Sequence, residues 1–362
     1  MMMDKTIPIK NIYYMLSYAF INLQKQEYKK LETEDFENVA DLCAEILYMG
    51  ISELIKRGLS RVYIEKQECF STVRGKIDIN ESLKFKNKIN KQLSCIYEDF
   101  SINSYLNQIL KSVLLSLLKQ NIKNKKKNKL RKILYYFKDV EVLQINTIKW
   151  NFQYNRNNKI YEMLIGICEL VVYGLLQKDS EGQKKLTHFA DKQMEKLYEK
   201  FILEYYKKEF RKSNIKEKIE VNSSKIKWGI LEDNKNDNFL PSMQSDIMIT
   251  TNDKILIIDA KYYSKVTQKN IYNSDETLHS HNLYQIFSYV KNKEYNLKTI
   301  NDNKNVSGML LYAKTNDGAK LDNTYTICGN TISAKTLDLN CDFKEIKNQL
   351  NGIAKDFLGV SL

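Results

Sequence analysis

The chain of 362 residues lacks the phosphate-binding loop GxxxxGK[ST]. Gly75 and Lys76 are adjacent, but the upstream glycine and the hydroxyl residue that follows the lysine in that motif are both missing. In the motif, backbone N–H groups cradle the phosphates of a nucleotide and the lysine reaches them. We therefore expect that this chain does not hydrolyse nucleotides, and that any nucleotide-driven step needs a separate subunit.

Cysteine and histidine are too sparse and too scattered to indicate a metal or redox site. The chain has three histidines, and none of its six cysteines forms a CxxC pair, so neither a zinc knuckle nor a redox motif is indicated. Because no secretion signal is present, we expect reduced, partly buried thiols. His279 and His281 precede a predicted helix, where they either approach DNA or belong to a loop. The third histidine is His188, and the six cysteines are Cys43, Cys69, Cys95, Cys168, Cys328 and Cys341.

No segment has the character of a membrane span. The most apolar stretch, residues 161–177, carries Glu162 and Glu169 and fits a buried helix better than a bilayer helix. At the amino terminus, Lys10 and Asn11 interrupt the apolar run that a signal peptide would need. These features predict a cytoplasmic protein that does not associate with membranes.

Positive charge is abundant. The formal net charge is +13 and the pI is about 9.1, which suits a polyanionic partner such as DNA. The chain is also rich in Lys, Asn and Ile and holds only two prolines, a composition that we attribute mainly to nucleotide bias in the source genome. The densest basic cluster, residues 119–132, is either a solvated connection between helices or a loop that contacts DNA phosphates.

The most informative segment predicts a β-hairpin. Two apolar, β-branched runs, 245–250 and 255–259, have the length of strands. Between them, residues 252–253 (Asn-Asp) can form a tight two-residue turn. With that turn, the numbers of paired residues sum to 505, so Asp246 is predicted to lie directly opposite Asp259.

An acidic pair in this position predicts a cation site. Two like charges at opposed positions destabilise a hairpin, whereas a divalent cation between them would bind both carboxylates. Lys261 lies two residues after Asp259 and projects from the same face of the strand. This arrangement suits metal-assisted phosphodiester hydrolysis, in which the lysine orients the attacking water or offsets transition-state charge. The alternative is a surface hairpin with solvated charges, but the continuous apolar run at 255–258 favours a strand buried on both faces.

The segment before the hairpin predicts a helix. Residues 191–210 place apolar side chains at four-residue spacing, as an amphipathic helix requires. Glu195 and Glu199 fall one turn apart on it. One of them, with Glu199 preferred, would reach the cation as a further ligand; the alternative is a solvated acidic face paired with neighbouring lysines.

The segments after the hairpin predict a second helix and a strand. Residues 281–292 form the helix, on which Gln285 and Tyr289 share a face. These two side chains either contact DNA or order the lysine, or they pack against the sheet. Residues 308–315 (GMLLYAKT) read as a further strand, bounded on both sides by polar residues.

This order of elements resembles the core of the PD-(D/E)xK nucleases. The match is closest to their Asp-Ala-Lys branch with a Gln-x-x-x-Tyr helix, as in RecB-like nucleases. Earlier motifs, IPIKNIYYMLSYAF (7–20), RGK (74–76) and YEDFSINSYLNQILK (97–111), resemble the McrC family of modification-dependent restriction systems. The proline that often precedes the first Asp of the nuclease motif is displaced, because Pro241 lies five residues before Asp246.

The resemblance implies an α/β fold in which a PD-(D/E)xK restriction-endonuclease-like core, a central mixed sheet flanked by helices, follows an α+β amino-terminal region. Residues 1–180 would dock the partner and associate with DNA, and residues 186–362 would form the nuclease, with the boundary in the polar run 177–185. It further implies metal ligands at Asp246 and Asp259 and a catalytic lysine at Lys261, with Mg²⁺ or Mn²⁺ as cofactor.

The resemblance also implies partners. The chain would be the DNA endonuclease subunit of a hetero-oligomeric complex on double-stranded DNA, with a separate AAA+ GTPase, McrB, that recognises modified DNA, uses the GTP and is stimulated by this chain. An arginine supplied in trans can stimulate a GTPase, and Arg57, Arg61 and Arg74 are candidates. The alternatives are a non-cleaving scaffold that activates the GTPase and binds DNA, or a stand-alone RecB-like exonuclease.

Overall fold

A computed structural model describes most of the chain. The described residues are 7–84, 89–154, 158–176, 183–213, 218–230, 239–262, 267–269, 276–314 and 320–359. The polar boundary predicted at 177–185 lies mostly outside them, as do Thr315 and the side chain of His188.

The contacts divide the chain into two compact units. One, called the inserted unit below, is Phe36–Val172; the other, the sheet unit, combines Met1–Asp35 with Tyr173–Leu362. This division differs from two consecutive domains at 1–180 and 186–362, because the first 35 residues belong with the carboxyl-terminal part. One contact that joins these two segments is made by the Asn11 amide, whose Nδ2 donates to the backbone oxygens of Leu339 and Cys341 at 2.9 and 2.7 Å.

The inserted unit contains helices and a small antiparallel sheet. Its helices are α2 (Val39–Arg57), α3 (Ile79–Ser82), α4 (Tyr105–Leu118), α5 (Asn124–Leu134) and most of α6 (Lys159–Leu176). Its strands are β1 (Val62–Phe70), β2 (Lys76–Ile77) and β3 (Leu93–Ser101), in the order β1-β3-β2. The Asn38 side chain accepts from the N–H of Asp41 at the start of α2, and Gly58 ends that helix with φ 99°.

The sequence of this unit predicts helices at 37–58 and 100–120 and strands at 61–70 and 75–79, from the spacing of apolar residues. Helix α2 and strand β1 confirm the first helix and the first strand, and α4 confirms the second helix from Tyr105 onward. The strand expected at 75–79 is only two residues long, and Ile79 begins α3. Strand β3 was not predicted, because Glu98 and Asp99 interrupt its apolar pattern.

The basic cluster at 119–132 is mainly helical, so its interpretation as a connection or loop is wrong. Helix α5 begins at Asn124, and it buries Lys126, Leu130 and Ile133 on one face. The ammonium group of Lys126 lies 4.0 Å from the centre of the Phe36 ring. Apolar residues at helical spacing override the high lysine content here, since the long lysine stems can cover apolar surface.

The sheet unit is built on a six-stranded mixed sheet. Its helices are α1 (Ile9–Ala19), α7 (Gln183–Lys212), α8 (Ser280–Lys298) and α9 (Phe343–Leu358). The six strands, in spatial order, are β12 (Asp322–Ile327), β13 (Asn330–Asp338), β11 (Asn305–Lys314), β8 (Lys254–Lys261), β7 (Ile247–Thr250) and β4 (Glu220–Asn222). Two separate ribbons pair β5 (Lys225–Ile226) with β6 (Met243–Gln244) and β9 (Thr267–Lys269) with β10 (Glu276–Leu278).

Strand direction makes this a mixed sheet flanked by helices, as predicted. Strand β11 runs parallel to both β8 and β13, whereas the other pairs are antiparallel. Parallel central strands are typically buried on both faces, and β8 is apolar and buried from Ile255 to Ile258. Helix α8 packs against β11 and β8, and α9 packs against β13.

The predicted helices of this unit are also confirmed. Helix α7 contains the segment 191–210, with Leu197, Phe201 and Tyr205 buried at four-residue spacing. The strand predicted at 308–315 is β11, as far as its last residue, Lys314. Among the described residues, no helix is long and apolar enough to cross a membrane. All six cysteines are described, and none forms a disulfide.

Candidate active site

The hairpin that carries the acidic pair has the predicted register. Strand β7 pairs with β8 so that Ile247 lies opposite Ile258, and the paired numbers sum to 505 throughout. The turn is closed by a hydrogen bond of 2.9 Å from the N–H of Thr251 to the carbonyl of Lys254. The same register, continued by one pair, places Asp246 opposite Asp259.

Both carboxylates lie near the carboxyl end of β8, which is buried from Ile255 to Lys261. Asp259 is 1% exposed, and Asp246 accepts a hydrogen bond of 2.8 Å on its Oδ2 from the N–H of Ala260. The Nζ atom of Lys261 lies 3.0 Å from Oδ2 of Asp259, and Lys261 is itself buried. The structure therefore brings together the three residues that the sequence predicts for phosphodiester chemistry.

The surroundings of this cluster favour the protonated forms of its carboxylates over the charged forms. Burial and the nearby Asp259 raise the pKa of Asp246 to about 7, although the N–H of Ala260 and Lys261 act in the opposite direction. Burial also raises the pKa of Asp259, and Lys261 opposes that shift. A cation bound at the cluster would offset these raised pKa values, because an opposite charge within a few ångströms favours ionised carboxylates.

Glu199 belongs to the same electrostatic cluster. Burial, followed by the charges of Asp246 and Glu195, raises the pKa of Glu199 to about 8. Glu199 is half-buried, so it is not part of a fully solvated acidic face. Within the described residues, however, no three His, Cys, Asp or Glu side chains are arranged to hold a metal ion. Glu199 as a third metal ligand therefore remains a prediction.

The acidic pair alone provides the ligands that Mg²⁺ or Mn²⁺ would need from the protein. The Oδ2 atom of Asp259 is buried, with the Nζ atom of Lys261 at 3.0 Å. A buried carboxylate is costly unless positive charge lies close to it, and Lys261 supplies a single positive charge beside two carboxylates. Mg²⁺ is usually held by one or two carboxylates, with water and substrate phosphates completing its shell. Asp246 and Asp259 fit that requirement.

Gln285 and Tyr289 share a face of α8, as predicted, and contact each other. The Nε2 atom of Gln285 donates to the Tyr289 hydroxyl at 2.9 Å. Tyr289 is buried and belongs to the core between α8 and the sheet, which agrees with the packing alternative. A role for Gln285 in catalysis or in DNA contact remains a prediction.

His279 and His281 lie at the start of α8, which differs from the alternative that places them in a loop. His279 caps the helix and His281 lies in its first turn, with ring centres 5.6 Å apart. The side chain of His281 is exposed. Burial raises the pKa of Asp259, and His281 is among the groups that act to lower it.

One buried contact beside the site was not predicted. Asn282, which is fully buried in the first turn of α8, donates from Nδ2 to the Tyr312 hydroxyl at 3.1 Å. Tyr312 is the β11 residue in register with Lys261. The contact fixes the start of α8 beside the strand end. It joins residues 30 positions apart, and no local sequence pattern signals it.

These features define an α/β protein with an acidic pair and a lysine at the end of a buried strand of a mixed sheet. The family model for McrBC 5-methylcytosine restriction system components matches residues 5–313. The chain therefore belongs to the McrBC family of restriction system components.

The chain is also similar to individual known proteins. The chain is 27% identical over 363 residues to the type IV methyl-directed restriction enzyme EcoKMcrBC of Escherichia coli (strain K12), covering 99% of this chain and 100% of that protein. An assembly of Thermococcus gammatolerans McrB AAA+ hexamers with bound McrC has a chain that matches at a TM-score of 0.49 and 15% identity, covering 96% of this chain and 76% of that one. The McrBC complex of that organism matches at 0.37 and 15% identity, covering 52% and 57%. Both TM-scores are below 0.5, so the family assignment rests on sequence.

Proposed function

We propose that this chain is the metal-dependent DNA endonuclease subunit of a GTP-driven restriction system that acts on modified DNA. The observation that carries the proposal is the position of Asp246 and Asp259 near the carboxyl end of β8, where the N–H of Ala260 donates to Asp246 at 2.8 Å and Lys261 lies 3.0 Å from Asp259. A cluster of one lysine, the buried carboxylate of Asp259 and the half-buried carboxylates of Asp246 and Glu199 is costly as a structural device, whereas it suits the binding of a divalent cation and a phosphate.

Asp246 and Asp259 would hold the metal ion, Mg²⁺ or Mn²⁺. When bound, such an ion polarises the scissile phosphate and lowers the pKa of a bound water. The protein contributes a fixed geometry: the N–H of Ala260 holds Asp246, and the backbone pairing of β8 with β7 and β11 holds Asp259. Ligands on rigid strands need little rearrangement when substrate arrives.

Lys261 would act on the substrate itself. Its ammonium group sits beside Asp259 at the end of the strand, where it can bind a phosphate oxygen or orient the attacking water. Negative charge develops on the phosphoryl oxygens in the transition state, and a cation placed in advance stabilises it. A neutral side chain at position 261 would lose this contribution.

The GTP-dependent part of the function would come from a second protein. This chain lacks a GxxxxGK[ST] loop and belongs to the McrBC family, and the matching Thermococcus gammatolerans assembly contains McrB AAA+ hexamers with bound McrC. We therefore propose an AAA+ GTPase of the McrB type as partner, which would also read the DNA modification.

Two of the arginines that are candidates for stimulating this GTPase already have contacts within the chain. Arg57 pairs with Glu53 at 2.5 Å but is 64% exposed, and Arg74 lies 4.1 Å from the centre of the Tyr97 ring.

The experiment that tests this function is cleavage of DNA containing 5-methylcytosine by the purified chain with Mg²⁺, with and without the AAA+ partner and GTP. Wild type is compared with Lys261→Ala. The matched control is Lys254→Ala, which removes a lysine from the other end of the same strand. We expect cleavage that requires partner and GTP, is lost in Lys261→Ala and persists in Lys254→Ala.

The other outcomes separate the alternatives. Cleavage without the partner would indicate a stand-alone nuclease. If no mixture cuts DNA but the chain still stimulates the GTPase of its partner, the proposal is wrong and the chain is an activator. Cleavage that is unchanged in Lys261→Ala would place the active site elsewhere.

A further inference from the structure

A second charged region of the sheet unit lies in a cleft apart from the acidic pair. The cleft has a volume of about 480 Å³ and is lined by α1, the short 3₁₀ helices after it, α7 and the start of α9. A volume of this size is typical of small-ligand sites. The charged residues that line it are Lys29, Lys208, Lys344, Lys347, Glu32 and Asp342.

The lysines of this cleft have no carboxylate partners within 4.0 Å, as far as the described residues show. The larger cleft of the same unit, with a volume of about 590 Å³, differs in how its lysines are paired. There, Lys298 pairs with Glu294 at 2.8 Å, Lys304 with Asp302 at 2.6 Å and Lys335 with Asp356 at 2.9 Å. Three of the four lysines that line the larger cleft are therefore paired with carboxylates, all except Lys254, whereas none of the four lysines of the smaller cleft is, within the described residues.

Lys208 is the most constrained of these cations. Its Nζ atom donates to the side-chain oxygen of Gln24 at 2.8 Å and lies 4.7 Å from the centre of the Tyr18 ring. Both neighbours are neutral, so the ammonium group is held in position without forming an ion pair with either of them. Burial lowers the pKa of Lys208 and the charges of Lys212 and Lys347 lower it further, whereas the charge of Glu209 acts in the opposite direction. A bound anion would relieve both effects.

The two acidic residues of the cleft do not balance its four lysines. Asp342 is used locally, since its side chain accepts from the N–H of Lys344 as the cap of α9. Glu32 is exposed and is a single charge. The first turn of α9 adds a favourable field for anions, because the amino end of a helix carries partial positive charge.

We propose that this cleft binds a phosphate group, with Lys208 and Lys347 as its principal contacts and Lys344 and Lys29 at its rim. An ammonium group that is fixed by neutral partners, with N–H groups left to donate, suits phosphate oxygens. The phosphate would come from a DNA backbone or from a free nucleotide. The site needs neither Lys261 nor the acidic pair, so it is independent of the proposed cleavage.

The test uses the full chain carrying Lys261→Ala, without divalent metal, so that DNA is not cut. Thermal unfolding is measured with inorganic phosphate, with GTP and with sodium chloride at matched ionic strength, and binding of a labelled DNA duplex is measured by fluorescence anisotropy. The test variant is Lys208→Gln/Lys347→Gln. The matched control is Lys320→Gln/Lys355→Gln, which removes two exposed lysines from the same unit.

We expect phosphate to stabilise the parent chain beyond the chloride control, and the test variant to bind at least about tenfold more weakly, since two charged hydrogen bonds are removed. The control should bind normally. Loss of DNA binding together with phosphate binding would identify the backbone as the source. Loss of phosphate and GTP binding alone would identify a free nucleotide. If phosphate gives no stabilisation beyond chloride, or if test and control variants bind alike, the proposal is wrong.

Discussion

Two regions of the molecule bury charged side chains, and they differ in how that charge is balanced. In the inserted unit, α2 buries Asp41 and Glu45, and α5 places lysines beside them. Lys129 forms an ion pair with Glu45 at 2.6 Å, and the backbone N–H of Lys123 donates to Asp41 at 3.0 Å. In the sheet unit, the end of β8 collects several carboxylates around one lysine.

The difference separates structural charge from functional charge. Asp41 and Glu45 each keep one buried oxygen without a hydrogen bond, but a lysine from α5 lies beside each residue. At β8, burial and then the neighbouring carboxylates raise the pKa values of Asp246 and Glu199. Residues with strongly shifted pKa values concentrate at functional sites. We therefore interpret the first region as packing between helices and the second as a site for a cation.

The largest effect, on DNA cleavage, is expected for substitutions among the carboxylates at the end of β8. Asp259→Asn should reduce DNA cleavage by the complex by about 10²–10³-fold, because it removes a buried metal ligand while preserving side-chain volume. Initial rates of cleavage at saturating Mg²⁺ measure this effect. Asp322→Asn, which changes a carboxylate that is 69% exposed, is the control and should leave the rate unchanged. A rate for Asp259→Asn within twofold of wild type would exclude Asp259 as a ligand.

The balanced region should respond through stability instead. Lys129→Ala leaves Glu45, which is 2% exposed, without its cation, and we expect a loss of about 3 kcal/mol in the free energy of unfolding. Denaturant titration of the wild type and the variant measures it. The control is Lys125→Ala, an exposed position on the same helix, which should change stability by less than about 0.5 kcal/mol. Equal stabilities for the two variants would contradict a structural role for the ion pair.

Removing one charge from the carboxylates at the end of β8 should raise the free energy of unfolding of the chain. The folded-state pKa of Asp246 is raised to about 7, above its ordinary value, so the folded chain binds more protons than the unfolded chain between about pH 4 and pH 7. The stability contributed by Asp246 is therefore present at low pH and is lost as pH rises through this range.

In metal-free buffer at pH 8, Asp246→Asn should stabilise the chain by about 1 kcal/mol, and the gain should vanish near pH 4; the value allows for partial solvent screening. Thermal unfolding as a function of pH measures this difference, with the exposed Asp139→Asn as control. A variant that is less stable than wild type at pH 8 would show that the carboxylate is not under electrostatic stress.

The smallest effect is expected from the exposed lysines of α5. Charge reversal at Lys125 and Lys132 should leave the affinity for a DNA duplex within about twofold, if the basic helix serves mainly to balance the buried acids of α2. If these lysines instead bind DNA, the slope of log affinity against log salt should fall by about 0.9 for each phosphate that is no longer neutralised. A measurable fall in that slope would assign α5 to DNA binding.

The sequence predicts the hairpin more accurately than the inserted unit, for a physical reason. A two-residue turn fixes strand register, and the register then decides which residues face each other; hence Asp246 and Asp259 could be paired without a structure. Strand β3 could not be recognised, because it carries Glu98 and Asp99, and Asp99 is compensated by Lys66 of the neighbouring strand at 2.6 Å.

Contacts between distant segments account for the remaining differences. The hydrogen bonds of Asn11 to Leu339 and Cys341 join the first helix to the last part of the chain, so a boundary based on composition could not find this arrangement. The contact of Asn282 with Tyr312 beside the site has the same character. Such contacts depend on tertiary packing, which local patterns do not encode.

The most direct test of the central claim is a calorimetric titration of Mn²⁺ into the purified chain at pH 8, for wild type, Asp259→Asn and the control Asp322→Asn. The claim is that the buried, unbalanced carboxylates at the end of β8 form a divalent-cation site. It predicts saturable binding to wild type and to the control, with no binding heat in Asp259→Asn. Equal binding by all three proteins would contradict it, because the ion would then occupy another part of the molecule.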